Sequence, residues 1–357
     1  MKLYLLSDWR PEDGTAYKKA PDDVSNILLS HGAKMVEMPV NWQTGCLAVQ
    51  YFRLKWIMRW VYLFATLKRR SAVIVQWPNF PFLMGNFVFK TFVQLCRMKR
   101  LRIVTLVHDI GRESVLTEQT AGWCHDLICK MLYVSDVVIV HNRQMREWLS
   151  NRGFEKTKFV ELEIFDYLAP GFEPEEDLTF EPNVYVAGNL TREKAGYVYE
   201  LCKYLSVNWK LFGKGYEPAV ATANVYYGGI VNADDLPSRL GRGFGLIWDG
   251  PSSETCEGVF GEYMRINSPH KLSLYLAAGL PVIIWSGAAQ ADFVRKYEVG
   301  FAVDSLTELE QKLANVAPEW YAKVKRNALA VSSKLRSGVF TMRAISAALS
   351  SLETCHA

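Results

Sequence analysis

The sequence of 357 residues contains no HExxH, no cluster of cysteines with histidines and no Asp-x-Asp, so a metal centre is not expected. It has no GxSxG, which argues against a serine nucleophile on a strand-to-helix elbow. No GxGxxG opens the first helical stretch, which disfavours a dinucleotide-dependent dehydrogenase. The seven cysteines form no CxxC pair and leave one over, so a disulfide framework is not indicated and a reduced, cytoplasmic setting is expected. The opening "MKLYLLSDWRPEDG" turns polar too early for a secretory signal and reads as a first buried strand. Internal repeats, low-complexity tracts and recognisable nucleic-acid modules are also missing. From Met38 to His108 there is no aspartate or glutamate.

That last stretch carries eleven cations: Arg53, Lys55, Arg59, Lys68, Arg69, Arg70, Lys90, Arg97, Lys99, Arg100 and Arg102. Aromatic residues are interleaved with them, as in "YFRLKWIMRWVYLFATLKRR". Two readings stand. The segment 50–102 meets an anionic membrane surface with Trp56, Trp60 and Tyr62 at headgroup depth, or it is a core helix with a solvated basic face. It does not read as spanning, because Arg53, Lys55 and Arg59 interrupt it. A nucleic-acid partner is not expected, and self-association stays open.

The length favours two domains. Short, continuously apolar runs alternate with helical stretches: 2–7, 34–40, 72–77, 102–109 and 136–142, then 183–188, 209–213, 225–230, 244–250, 281–285 and 300–304. Such runs predict parallel sheets covered by helices on both faces. The stretch 165–183 holds three prolines and six acidic residues and reads as a linker. The fold class is therefore α/β, two Rossmann-like doubly wound domains facing across a cleft. In such sheets ligands gather at the carboxyl ends of strands.

That rule selects the candidates. In "VAGNLTREKAGY" a strand ends near Gly188, Asn189 turns the chain, and Arg192 and Lys194 enter a helix whose amino end suits a diphosphate. In "LFGKGYE" Gly213 lets backbone approach a flat base, and Tyr227 follows in a second glycine turn. The long polar loop 246–271 carries Asp249 and Glu262, acceptors suited to sugar hydroxyls. In "NSPHK" Ser268 and Pro269 start a helix, with Asn267, His270 and Lys271 at its head. A cation in a first turn opposes the helix dipole, which makes little sense for stability and good sense for an anion. His108 and Asp109 close a strand of the first half, where a carboxylate either accepts a proton from an incoming hydroxyl or caps a helix. Gly14 and Thr15 lie in the loop after the first strand, a place that often approaches a donor.

The segments "VHDI", "IFDYL", "AGNLTR", "FGLIWDG", "SSETCEGVFGEYMRIN", "NSPHKLSLYL" and "LPVIIW" together resemble the bacterial β-1,6-galactofuranosyltransferases of O-antigen synthesis, a GT-B fold family related to adhesin-glycosylating glucosyltransferases. Many retaining GT-B enzymes carry glutamates where this sequence has Ile266 and Leu274, which sets it apart from them. The resemblance implies a UDP-sugar held by Arg192, Lys194 and Lys271, with help from Asn267 and the 226–231 turn. It implies inversion, with Asp109 as first choice for general base and Asp249 and Glu262 as runners-up. It implies galactofuranose transfer from UDP-galactofuranose to a lipid-linked oligosaccharide at the inner face of the bacterial membrane. No cofactor is implied, since the UDP-hexose is a substrate. A UDP-glucose or UDP-galactose transferase and a non-catalytic glycosyltransferase partner are the alternatives. Residues 334–352 resemble the helix that returns to the first domain, so the expected division is 1–167 plus about 336–357 against 168–335.

Overall fold

Runs of valine, isoleucine and leucine with no polar alternation form strands only where both faces are covered. In the computed structural model, which describes residues 1–7, 18–38, 46–79, 82, 86–111, 123–217 and 222–353, they build two six-stranded sheets. Every strand pairing is parallel.

The chain divides into two compact units. Unit 1 comprises Met1–Glu12, Val24–Leu162 and Thr341–Ala357; unit 2 comprises Asp13–Asp23 and Glu163–Phe340. The sheet of unit 1 contains β1 (Leu3–Leu6), β2 (Lys34–Val36), β3 (Ala72–Trp77), β4 (Arg102–Val107), β5 (Val137–Val140) and β6 (Phe159–Glu161), in the order β2-β1-β3-β4-β5-β6. The sheet of unit 2 contains β7 (Asn183–Asn189), β8 (Asn208–Lys214), β9 (Val225–Tyr227), β10 (Phe244–Ile247), β11 (Val282–Trp285) and β12 (Gly300–Val303), in the order β12-β11-β10-β7-β8-β9. Central strands β3, β5, β10 and β11 are buried along their whole length. Among the described strands only β6 escapes the sequence reading: it is three half-buried residues at a sheet edge, between Lys158 and Leu162.

Helices relevant to function are α1 (Lys19–Ser30), α2 (Cys46–Thr66), α3 (Asn86–Lys99), α4 (Arg192–Ala195), α5 (Gly258–Met264), α6 (His270–Ala277), α7 (Pro318–Arg336) and α8 (Val339–Glu353). Helix α2 packs on α3 through two indoles. Trp56 Nε1 donates to Thr91 Oγ1 at 2.6 Å, and Trp60 Nε1 donates to the Thr91 carbonyl at 2.9 Å. Trp56 is buried, so it and Trp60 are anchors to the protein rather than the headgroup-depth residues expected from sequence. The reason is geometric: at 3.6 residues per turn they share a stripe with Leu63, and α3 covers that stripe.

Helix α6 begins at His270 with Pro269 at the cap and no side-chain cap hydrogen bond, one residue later than the expected Ser268 start. Its body is apolar and buried. The Tyr275 ring lies against Gly245 so closely that a Cβ there would sit 2.2 Å from ring carbons, and Tyr275 Oη accepts from the Ala187 amide at 2.7 Å. The helix ends at Gly279 in the left-handed region (φ 68°). These contacts fix the amino end of α6 beside β10 and β7.

Candidate functional site

A doubly wound sheet binds ligands where its strand order reverses. In unit 2 the reversal lies between β7 and β10, the two strands that begin the opposite halves of the sheet. The segments following those strands are "NLTREK" and "WDG", two of the stretches selected from sequence.

After β7, Asn189 Oδ1 accepts from the Thr191 amide at 3.1 Å, an Asx turn that redirects the chain. Helix α4 then begins at Arg192 but lasts only four residues. The expected dipole contribution is therefore small, because it needs aligned peptides over several turns; any anion here is held mainly by side chains. Arg192 is exposed, and its guanidinium lies 3.8 Å from the centre of the Tyr199 ring. Lys194 is half-buried with its ammonium 5.5 Å from the Phe260 ring centre, and its carbonyl accepts from the Gly250 amide at 2.8 Å. That last bond ties the loop after β7 to the loop after β10.

Strand β8 meets β7 at Gly213 and Gly188. A Cβ on Gly213 would fall 1.7 Å from the Gly188 carbonyl oxygen, and φ of Gly213 is +142°. Only glycine fits there. Beyond it the Tyr227 hydroxyl donates to the Gly213 carbonyl at 2.7 Å, and the Tyr199 hydroxyl donates to the Gly215 carbonyl at 3.1 Å. Tyr216 bridges them, 5.3 Å from Tyr199 and 5.2 Å from Tyr227 between ring centres. Sequence reasoning named Tyr227 and missed Tyr199 and Tyr216. The available signal was the run of tyrosines beside glycines, which offers flat surfaces next to open backbone.

At the head of α6, Lys271 Nζ donates to the Trp248 carbonyl at 2.9 Å and to Asp249 Oδ1 at 2.8 Å. The side chains are 13% and 9% exposed, so this is a nearly buried ion pair. The expectation of Lys271 as a bare addition to a positive helix end is corrected: Asp249 balances its charge. An ammonium has three donors, and these two bonds take two of them. The same pair engages Asp249 Oδ1, which makes it a strut for Lys271. Glu262, the other acidic candidate of this loop, pairs at the surface with Arg265 at 3.0 Å.

His270, named among the donor candidates although a lone histidine is more often structural, packs against an aromatic neighbour. Its ring stacks on Tyr167 at 5.1 Å between centres. Burial, reinforced by the nearby Lys19 ammonium, pushes its pKa down to about 3. The ring is neutral near neutrality and supplies no charge to an anion. Asn267 is half-buried, its amide bonded to the Tyr263 carbonyl at 3.0 Å. Ile266 and Leu274 are both buried, and Leu274 belongs to the apolar core of unit 2, where an unpaired carboxylate would be costly.

In unit 1, His108 and Asp109 follow β4 as expected. The His108 amide donates to the Trp77 carbonyl at 2.7 Å, and His108 Nε2 lies 2.7 Å from Gln76 Oε1. Gln76 is itself buried and donates to Ser25 Oγ at 2.8 Å. Because the amide oxygen of Gln76 faces the ring, Nε2 of His108 carries the proton in that bond. Asp109 Oδ1 accepts from the Gly111 amide at 2.9 Å, closing a turn. The carboxylate is half-buried. Behind it His141 is fully buried; burial lowers its pKa to about 4, against the opposing pull of Asp109. Gly14 and Thr15 lie outside the described residues.

Among the described residues no group of three histidine, cysteine, aspartate or glutamate side chains is placed to hold a metal ion.

Two family descriptions match the chain: "Glucosyltransferase 3-like, N-terminal domain" over residues 5–164 and "Glucosyltransferase 3-like, C-terminal domain" over residues 184–348. The chain is 36% identical over 281 residues to the β-1,6-galactofuranosyltransferase WbbI of Escherichia coli (strain K12), covering 77% of this chain and 79% of that protein. It is 29% identical over 287 residues to glucosyltransferase 3 of Streptococcus gordonii, covering 77% and 78%. Among solved structures, sucrose-phosphate synthase from Thermosynechococcus elongatus superimposes with a TM-score of 0.61 at 14% identity, covering 99% of this chain and 100% of that one. Anabaena Alr3699/HepE in complex with UDP and glucose gives a TM-score of 0.57 at 14% identity, covering 98% and 100%. These likenesses establish the GT-B fold.

Proposed function

The chain belongs to the glucosyltransferase 3-like family and is a glycosyltransferase, and from that premise we propose that it moves galactofuranose from UDP-galactofuranose to a lipid-linked oligosaccharide, with inversion, in O-antigen or related polysaccharide synthesis. The observation that carries the reading is the convergence on the unit 2 switch point. Arg192 and Lys194 follow β7 and Lys271 heads α6 beside β10, while Tyr199, Tyr216 and Tyr227 surround the glycines after β8. Three cations suit a diphosphate, and rings beside open backbone suit a uracil. The 36% identity to a galactofuranosyltransferase supports galactofuranose as the sugar.

In the proposed reaction the acceptor hydroxyl oxygen attacks the anomeric carbon as the bond to the UDP oxygen breaks. Asp109 takes the hydroxyl proton, and the electron pair leaves with UDP. Arg192, Lys194 and Lys271 neutralise the departing diphosphate. A single displacement turns an α-linked donor into a β-linked product. No metal enters this scheme, so a chelator should leave turnover unchanged. The acceptor's lipid places the enzyme at the inner surface of the bacterial membrane.

Calorimetric titration with UDP tests the donor site; no binding at millimolar UDP would remove the transferase reading of the switch point. A panel of UDP-galactofuranose, UDP-galactose and UDP-glucose, with the product linkage read by NMR, tests the sugar. The relation to glucosyltransferase 3 favours glucose as the second reading, and turnover with UDP-glucose alone would select it.

A further inference from the structure

Helix α2 is apolar on two opposite faces. The stripe through Trp56 and Leu63 is buried against the protein. At 3.6 residues per turn, Tyr51, Leu54, Met58, Val61 and Tyr62 fall on the other side, with Ile57 at its margin. These side chains are 58%, 54%, 56%, 57%, 55% and 49% exposed respectively. A solvated face would carry polar residues there. The cations lie instead on the flanks: Arg53 on one, Lys55 and Arg59 on the other. Lys55 Nζ sits 4.5 Å from the Tyr51 ring centre, and the Arg59 guanidinium 4.9 Å from that of Tyr62. Exposed Lys68, Arg69 and Arg70 follow the helix directly.

We propose that this outward face of α2 seats the protein on an anionic lipid surface, with Leu54, Met58 and Val61 in the acyl boundary and the flanking cations at the phosphates. The inference rests on the membrane-surface reading above and assigns it to one helix face. Three observations select lipid. Contiguous exposed apolar side chains of this number mark an interaction surface on a soluble domain. The stretch from Met38 to His108 that carries these cationic flanks has no aspartate or glutamate of its own, and Arg59 Nε donates to the Glu37 carbonyl at 2.8 Å, so the flanks favour a negative partner. And among the described residues no helix is long and apolar enough to cross a bilayer, which leaves contact in the plane of the surface.

A second copy of the chain is the competing occupant. Tyr51, Leu54, Met58 and Val61 do have the three-four spacing of a helix-pairing seam. Pairing two such faces would bring Arg53, Lys55 and Arg59 towards their own counterparts with no carboxylate between them, a like-charge arrangement that opposes association.

The experiment uses the full chain and the variant Leu54→Gln/Met58→Gln/Val61→Gln in co-sedimentation with phosphatidylglycerol-rich vesicles and with pure phosphatidylcholine vesicles. The three side chains are exposed, so the variant keeps its core, and thermal melting verifies this. The unaltered chain is expected to bind the phosphatidylglycerol vesicles and lose affinity at least about tenfold in the triple variant. Arg53→Glu/Lys55→Glu is expected to weaken binding to the anionic vesicles by about fivefold or more per residue. Equal binding by the triple variant, or no binding by the unaltered chain, overturns the proposal. So does a dimer in light scattering that the triple variant converts to monomer, which would give the face to a second copy. UDP calorimetry on the same samples separates the two readings: intact UDP affinity with no vesicle binding removes only the lipid seat.

Discussion

Exchanging Lys271 for methionine separates two roles that one side chain combines. In the folded protein its ammonium is 2.8 Å from Asp249 Oδ1 and 2.9 Å from the Trp248 carbonyl, with both side chains nearly buried. Removing the cation alone strands a buried carboxylate, which costs about 3–5 kcal/mol of stability. Lys271→Met/Asp249→Asn removes both charges, so most of that loss should return. Affinity for UDP should behave differently. A charge-assisted bond from Lys271 to a diphosphate is worth about 1.5–3 kcal/mol, or roughly 10- to 150-fold in Kd. The double variant should stay that much weaker although it is folded. Urea unfolding reports stability and calorimetry reports UDP binding on the same preparations. Recovery of both stability and UDP affinity in the double variant would refute the assignment and leave Lys271 as a structural strut.

Gly213→Ala places a Cβ 1.7 Å from a backbone oxygen at φ +142°; a loss of more than about 3 kcal/mol, seen as a lowered melting temperature, is expected. Asp109→Asn keeps an oxygen able to accept from the Gly111 amide, so the fold and UDP Kd should hold while turnover falls about 10²- to 10⁴-fold; normal turnover in a radiolabel transfer assay would exclude Asp109 as the base. Acid should destabilise the protein between pH 7 and 5. His141 and His270 have pKa values lowered from 6.5 to about 4 and about 3, so the unfolded chain takes up protons first and each costs about 2 kcal/mol at pH 5. Asp23, raised by burial from 3.8 to about 6, acts in the opposite sense, because its folded form holds a proton the unfolded form has lost. It returns roughly 1 kcal/mol, so the net loss is about 2–3 kcal/mol, read as a lower urea midpoint. A midpoint that rises at pH 5 would contradict the lowered pKa values of both rings.

The strands were legible because a strand buried on both faces must be apolar along its length, and few other elements are. The edge strand Phe159–Glu161 had no such requirement and left no trace. Position after a strand selected Arg192, Lys194 and Asp109 as candidates, and a cation opposing a helix dipole selected Lys271; the structure puts Arg192, Lys194 and Asp109 just past β7 and β4 and Lys271 at the head of α6. Pairing was not legible. Lys271 and Asp249 are 22 residues apart, and nothing local shows that the carboxylate holds the ammonium. The tyrosine group draws from three separate segments, so only Tyr227, already beside a glycine turn, was noticed. His270 stood among the donor candidates beside Lys271, and sequence alone does not show that its ring stacks on Tyr167 or that burial lowers its pKa. The two apolar faces of α2 read as one hydrophobic helix until α3 covered one and left the other open.

Neither unit is a continuous stretch of chain. Lys19, near the amino terminus, belongs with unit 2, where its ammonium reaches the Leu168 carbonyl at 2.7 Å and Asp234 at 2.7 Å. Asp23 accepts from the Leu168 amide at 3.0 Å. A gene cut between the halves near residue 163 would therefore separate a short amino-terminal tether from the partners it binds. A transplant of unit 2 into a related chain would have to carry two pieces of sequence, Asp13–Asp23 as well as Glu163–Phe340.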